Sequence, residues 1–292
     1  MTTNETITAP GGSFLLGGDL RISRLGFGAM RLAAGTPAGP VRDPRTGVAV
    51  VRRAVELGVD HIDTAGFYGR GGVRAHELIR EALSPYPDDL VIVTKVGPVR
   101  NEAGVPASEA TPGQLRGLVE EDLYRLGLDR LDLVYLRVGG MNPPDGSSLA
   151  DRFAVLAELR DEGLIRHLGV SNVTADQFAE AAAIAPVVAV QNHFHVHHRD
   201  DAALLDLCGR SGAAFVPFFP LGGGHRPVDG ARVAKVADGH GATSAQVALA
   251  WLLATAPHVL AIPGTGSPDH LEENMAAAGV RLTDEDLAAL AG

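Results

Sequence analysis

The sequence predicts a closed (β/α)8 TIM barrel preceded by an N-terminal β-hairpin. Three observations predict it. Short apolar runs alternate with longer helical patterns eight times along the chain, as expected for a parallel sheet covered by helices. The open-sheet alternative lacks its phosphate-binding turn. Gly26-Phe27-Gly28 runs on into Ala29-Met30-Arg31 without a third glycine, whereas that turn reads G-x-G-x-x-G. Finally, 292 residues without a linker, low-complexity tract or charge block suit one large barrel, read as a single domain over 1–292.

Residues 1–12 read as a flexible tail. Gly17-Gly18-Asp19 then separates SFLL from LRISRLGFG, a hairpin pattern. The eight expected strands are Leu25–Met30, His61–Thr64, Leu90–Lys95, Leu131–Val138, His167–Ser171, Val187–Gln191, Ala214–Phe219 and Val259–Pro263. Amphipathic segments such as Val48–Leu57 and Leu149–Leu159 fall between them. Asp43-Pro44 and Thr111-Pro112 fit helix starts, with proline at the first helical position. Gly58, Gly127, Gly163 and Gly212 fit helix C-termini. The irregular stretches Ala33–Gly47 and Gly139–Ser148 follow strands, so they belong to the active face of a barrel and are expected substrate loops.

Composition narrows the function classes. Hydrophobic residues at 46% and charged residues at 21% describe a globular chain rather than a disordered one. A net charge of −10 argues against a nucleic-acid partner, which phosphate neutralisation would make basic. The lone Cys208 excludes an internal disulfide and a cysteine-rich zinc site, and reads as a small buried helix residue. The polar start MTTNETITAP lacks the pattern of a signal peptide. The apolar runs Ala242–Ala256 and Ala181–Val190 are too short or interrupted to span a bilayer. A cytoplasmic protein without a membrane partner is expected, and no coiled-coil pattern assigns an oligomeric state.

Polar residues at strand ends are where a barrel holds its reactive groups. The second strand leads through Asp63 to Tyr68, the third ends in Lys95 and the fourth in Arg137. An isolated phenol has a pKa near ~10, so nearby cations are expected to make its proton more available, with a carboxylate holding the lysine. Taken singly, each residue has a plainer reading. Asp63 caps a loop, Tyr68 packs at the rim, and Arg137 pairs with Asp132 or Asp145. Lys95, at the end of a V-I-V-T strand, needs a partner if buried.

In order along the chain, RLGFGAM, HIDTAGFYG, VIVTKVG, LGLDRLDLVYL, EGLIRHLGVSN, VAVQN, VPFFPLGGG, QVALAWLL and IPGTGSPDHLEEN resemble the aldo-keto reductases over essentially the whole chain. The resemblance implies a single barrel that binds an extended nicotinamide cofactor without a Rossmann domain. It implies that Asp63, Tyr68 and Lys95 are catalytic, with Tyr68 the proton donor. Ser171, Asn172 and Gln191 match residues that hold the nicotinamide carboxamide, and Phe218 stands where a ring, normally tyrosine, stacks on the nicotinamide. Arg137 stands as the fourth catalytic residue, in place of the family's usual histidine, where it would polarise the carbonyl or orient the substrate ring. It donates hydrogen bonds, carries charge and suits an anionic substrate group. The LRV ending, GPVRDPR and VPFFPLGGG resemble the bacterial pyridoxal reductase branch.

The resemblance also implies NADPH/NADP+ as cofactor, with NADH not excluded. Gly28, Ala29, Met30, Leu221, Gly223, Gly264, Thr265, Ser267, His270, Glu273 and Asn274 are its further expected contacts. His270 and Gly264 stand where related chains often carry arginine and lysine, and His270 also reads simply as an exposed helix residue. Ser267 and nearby N–H groups at a helix start offer a phosphate site. The run of Gly222, Gly223 and Gly224 would let backbone approach a pyrophosphate, or mean only a flexible loop.

His193, His195 and His197 would share one side of an extended segment, but strand spacing is too wide for three ligands on one metal. No metal is expected. Trp251 reads as a core helix residue. The leading reading is therefore a reductase of a small aldehyde or ketone, with pyridoxal to pyridoxine favoured. The alternatives are a reductase of another carbonyl, anionic or neutral, in a specialised pathway, and an NADPH-binding regulatory partner with little turnover.

Overall fold

The structure is a computed structural model, and it describes residues 11–34, 39–100, 106–140, 143–224 and 228–291. The tail expected over 1–12 lies outside them except for Gly11 and Gly12, and Gly12 O accepts the Arg24 N–H at 2.8 Å. Parts of both expected substrate loops, 35–38 and 141–142, also lie outside.

Ser13–Leu16 and Leu20–Ser23 form the expected antiparallel hairpin across Gly17-Gly18-Asp19. Its apolar Leu16 and Ile22 are buried among barrel-interior residues such as Val91, Leu133 and Leu260. The hairpin therefore plugs the bottom of the barrel.

Seven parallel strands then follow in chain order: Phe27–Gly28, His61–Asp63, Val91–Val96, Leu131–Arg137, Ile165–Ser171, Val187–Gln191 and Ala214–Phe215. The expected eighth strand is present only as single parallel bridges. Val259 pairs with Phe215, Ala261 with Leu25, and Gly264 with Gly28. Those bridges reach the last and first strands together, so they close the barrel. Side chains at Gly28 and Gly264 would block this approach, because an added Cβ at Gly28 would sit 2.7 Å from Ile262 O. The first and seventh strands are also shorter than expected. A 3-10 turn begins at Ala29, and only Ala214 and Phe215 of the predicted Ala214–Phe219 run are strand.

The helix signals act as expected. Asp43 accepts from Arg45 N at 3.0 Å at the start of Pro44–Glu56. Gln114 Oε1 accepts from Thr111 N at 2.9 Å at the start of Pro112–Leu126. Gly127 and Gly212 adopt left-handed φ of 69° and 77° at helix ends, a conformation only glycine adopts without a Cβ penalty. Cys208 is a buried residue of the helix Ala202–Ser211, and Trp251 is buried in Ser244–Thr255. Pro98–Arg100 and Pro106–Glu109 also pair as an antiparallel hairpin that the sequence analysis does not anticipate. Among the described residues, no helix is long and apolar enough to cross a membrane.

Strand alternation decides what faces inward. Val91 and Val93, Leu133 and Tyr135, Ala189, and Ala214 and Val216 fill the barrel interior. Two residues further along come Lys95, Arg137 and Gln191 on their strands, and Phe218 just beyond the seventh. The same parity thus carries the apolar core upward into a polar mouth at the strands' C-terminal ends. Gly169 leaves room for Tyr135 in that interior, since an added Cβ would meet the Tyr135 ring at 2.5 Å.

Candidate active site

Lys95 is buried and fully engaged. Its ammonium donates to Asp63 Oδ1 at 2.5 Å and to Thr64 O at 3.0 Å. Asp63 Oδ2 in turn accepts from Gln191 Nε2 at 2.8 Å. The Lys95 nitrogen lies 5.0 Å from the centroid of the half-buried Tyr68 ring. Burial works against the Lys95 charge, but Asp63 and the Tyr68 oxygen outweigh it and leave the lysine pKa raised. A buried ion pair of this kind persists because its remaining hydrogen-bonding positions are satisfied.

The neighbouring cations pull the Tyr68 pKa down, as the sequence leads one to expect, but they are outweighed. Burial raises its pKa, and the opposing pulls of Lys95 and Arg137 do not overcome that. Tyr68 therefore carries its proton across the neutral range. Its loop is held at both ends. Tyr68 N donates to Ala65 O at 2.9 Å, and Tyr68 O accepts from Ala75 N at 2.9 Å.

Arg137 pairs with neither Asp132 nor Asp145. The Asp132 carboxylate instead accepts from Ile92 N at 3.0 Å, and that of Asp145 from Ser147 N at 2.9 Å. The Arg137 guanidinium is buried. It donates to Ser171 Oγ at 3.1 Å and to Gly140 O at 2.7 Å, and its Cζ lies 4.6 Å from the Phe218 ring centroid. Burial brings its pKa down to about 10, still well above neutral. Arg137 is thus spent on two of the residues expected to hold the nicotinamide. Asn172, at a left-handed φ of 60°, donates from its side chain to Val138 O at 2.9 Å.

From this cluster a trench runs outward. Its inner part is lined by Gly28, Met30, Asp63, Tyr68, Gln191, Phe218, Leu221, Gly223 and Gly264, all expected, together with Arg31, Phe219, Pro220 and Ile262. Its outer part, about 370 Å³, shares Leu221 and Gly264 with the inner one. There Thr265, His270, Glu273 and Asn274 meet Asp229, Thr243, Ser244 and Ala245. Ala29 is fully buried and lines neither part. Ser267 also lines neither, and it stands at the N-cap position of the helix Pro268–Ala276 without a side-chain capping bond. Sequence reasoning missed Arg31, whose guanidinium reaches across the trench to Gly223 O, although it directly follows Met30. It also missed the N-terminal turn of the helix Ser244–Thr255, which no motif marked.

The histidine run does not extend. It turns back at Val196 and His197, with His195 and His198 exchanging backbone hydrogen bonds of 2.9 and 2.8 Å. The rings stack instead, His193 on His198 at 4.0 Å and on Phe218 at 5.4 Å between centroids. Among the described residues, no three His, Cys, Asp or Glu side chains are placed to hold a metal ion.

A closed parallel barrel, a buried lysine–carboxylate pair beside a tyrosine at its mouth and a long trench leading away together describe a barrel oxidoreductase. The aldo/keto reductase family profile matches residues 24–292, and the chain belongs to that family. Among its relatives, pyridoxine 4-dehydrogenase of Escherichia coli K12 is 48% identical over 94% of this chain and 96% of the relative. An uncharacterized oxidoreductase of Schizosaccharomyces pombe is 38% identical over 94% of this chain and 87% of its own. Among solved structures, an aldo-keto reductase of Klebsiella pneumoniae in complex with NADPH superposes with a TM-score of 0.79. It is 28% identical and covers 95% of this chain and 93% of that one.

Proposed function

We propose that this single-domain barrel reduces a small aldehyde or ketone to its alcohol with NADPH, and that pyridoxal, giving pyridoxine, is its favoured substrate. The observation that carries the reading is the Asp63–Lys95 pair, whose ammonium stands 5.0 Å from the Tyr68 ring centroid at the inner end of the trench. The likeness to pyridoxine 4-dehydrogenase supports the substrate, and the NADPH-bound neighbour supports the cofactor.

The trench fits an extended dinucleotide. It offers Gln191 and an aromatic ring at the inner end, glycine backbone at Gly223 and Gly264 in the middle, and the start of a helix at Thr243–Ala245 on the outside. A nicotinamide cofactor held there would supply hydride chemistry at the carbonyl carbon. Tyr68 holds a proton at its phenol oxygen and delivers it to the carbonyl oxygen as negative charge develops there, the role of a general acid. Lys95 stabilises the phenolate left behind, Asp63 keeps the ammonium in place, and Gln191 keeps Asp63 in place. Arg137 orients Ser171 and Phe218, the residues expected against the nicotinamide. Two of its five N–H donors are directed at Ser171 and Gly140, which supports a positioning role ahead of an anionic-carbonyl reading. The intact Asp63, Tyr68 and Lys95 set weighs against a regulatory protein without turnover.

The test is NADPH oxidation by the purified protein with pyridoxal, against NADH and an unrelated small aldehyde. Saturable turnover favouring pyridoxal and NADPH is expected. NADPH binding without pyridoxal turnover would remove the substrate assignment.

A further inference from the structure

Directly behind the Lys95 strand lies a second buried polar cluster that the reaction as described does not use. Thr94 points outward from the barrel while Lys95 points in. Thr94 Oγ1 donates to Asp122 Oδ2 at 2.6 Å and lies 3.3 Å from His76 Nε2. His76 Nδ1 lies 3.4 Å from Asp122 Oδ1, and it is a buried nitrogen without a hydrogen-bond partner. All three residues are buried.

The single Thr94 hydroxyl hydrogen goes to Asp122, so the approach of His76 Nε2 to Thr94 requires Nε2–H as the donor. One further proton then lies between His76 Nδ1 and Asp122 Oδ1, carried either by a carboxyl facing a neutral imidazole or by an imidazolium facing a carboxylate. A dry site favours the uncharged pair, because each buried charge costs desolvation. Loss of that proton would set two lone-pair-bearing atoms against each other, an arrangement that burial penalises.

The cluster touches the loop that carries Tyr68 from two sides. A Cβ added to Gly66 would stand 2.2 Å from Asp122 Oδ1, so the loop backbone rests on this carboxyl. On the other side, Ala75, the neighbour of His76, donates to Tyr68 O at 2.9 Å. Resting on the proposed role of Tyr68, we propose that Asp122 is a positioning residue. Its buried proton, shared with His76 and Thr94, holds the Gly66 turn in place, and ionisation of Asp122 shifts the Tyr68 phenol relative to Lys95.

The charged surroundings agree. Asp122 feels Glu121 and Arg125 of its own helix, and His76 feels Arg125, then Lys95 across the strand, then Arg74; Arg125 also pairs with Glu77 and Glu121. Burial pushes the Asp122 carboxyl up to about 7, ahead of the opposing Thr94 hydrogen bond, and holds the His76 imidazole down to about 3.

The experiment follows the Tyr68 Cζ resonance against pH in protein labelled with 13C at tyrosine Cζ, assigned among the four tyrosines by its loss in Tyr68→Phe. The wild type should show an inflection near neutral pH, well below phenol ionisation. Asp122→Asn, which keeps the side-chain shape without a titrating group, should abolish it. Thr94→Val, nearly isosteric and lacking the donor that favours the carboxylate, should move it to higher pH, which covers the case in which Asp122→Asn does not fold. The pH profile of kcat should carry the same inflection and respond alike in both variants. A wild-type resonance flat through neutrality, or an inflection unchanged by both substitutions, overturns the proposal. The resonance requires no turnover, so an inactive protein with the expected shifts would sink the reductase reading and leave this one standing.

Discussion

Gln191 Nε2 donates to the same carboxylate that binds Lys95, at 2.8 Å on Asp63 Oδ2 against 2.5 Å from lysine to Oδ1. Residues from the second, third and sixth strands are thereby locked into one chain of contacts across the barrel mouth. A hydrogen bond to a charged group contributes about 1.5–3 kcal/mol. Gln191→Leu is therefore expected to lower kcat/KM by roughly ten- to a hundredfold. Steady-state kinetics over substrate and cofactor would measure it, and a change under twofold would show that Asp63 does not need this support.

Tyr68→Phe removes the proton and little else. Turnover should fall by about 10²–10⁴-fold, the typical contribution of a general acid, while NADPH affinity measured by fluorescence titration stays within about twofold. Loss of binding together with turnover would mean that Tyr68 holds the cofactor rather than supplying the proton.

Arg137→Met keeps a long apolar side chain against Phe218 but frees Ser171 and Gly140. The expected signature is a KM for NADPH raised about tenfold, as for loss of one charge-assisted hydrogen bond, with a smaller change in kcat. Preference between neutral and anionic carbonyls should stay as it was. A lost preference for anionic substrates would return Arg137 to substrate binding.

Among the described residues, the outer trench is lined by Asp229 and Glu273 with His270 and without lysine or arginine. That is a weak electrostatic site for an extra phosphate, supported by the N–H groups of a helix start. His270→Arg should raise the NADPH-over-NADH ratio of kcat/KM by about tenfold, and His270→Ala should lower it. Paired kinetics with both cofactors decide this, and an unchanged ratio in both variants would place the discriminating contact elsewhere.

His76 and Asp122 also act on stability with opposite signs. The His76 pKa is depressed from 6.5 to about 3, so the folded state binds fewer protons than the unfolded one and stability rises with pH between those values. The Asp122 pKa is raised from 3.8 to about 7, so the folded state binds more protons and stability falls with pH across that window. Between about pH 4 and 6.5 the two slopes oppose each other. Each single slope approaches about 1.4 kcal/mol per pH unit. Asp122→Asn should expose the rise and His76→Asn the fall. Urea denaturation of both variants across that range would reveal them, and parallel curves for wild type and variants would count against the coupled pair.

Asp122 was readable in advance and passed over. Leu115, Val119, Asp122 and Leu126 form the buried stripe of one helix, so a carboxylate occupied an apolar position of a regular helical pattern. His193 shows the opposite case. Its neighbours in the sequence gave no sign that it would stack on Phe218, because that contact depends on a turn at Val196–His197 and a bridge from His193 to Phe218.

Strand–helix alternation, together with the missing G-x-G-x-x-G turn, pointed to a parallel barrel, and local proline, glycine and polar signals marked its helix ends and the strand ends that carry Asp63, Lys95, Arg137 and Gln191. Closure through single bridges at Val259, Ala261 and Gly264 was decided in three dimensions. So were the commitment of Arg137 to Ser171 and Phe218, and the net upward shift of the Tyr68 pKa. Each of these depends on how deeply a group is buried and on which distant residue meets it, and burial and long-range contact exist only once the chain has closed on itself.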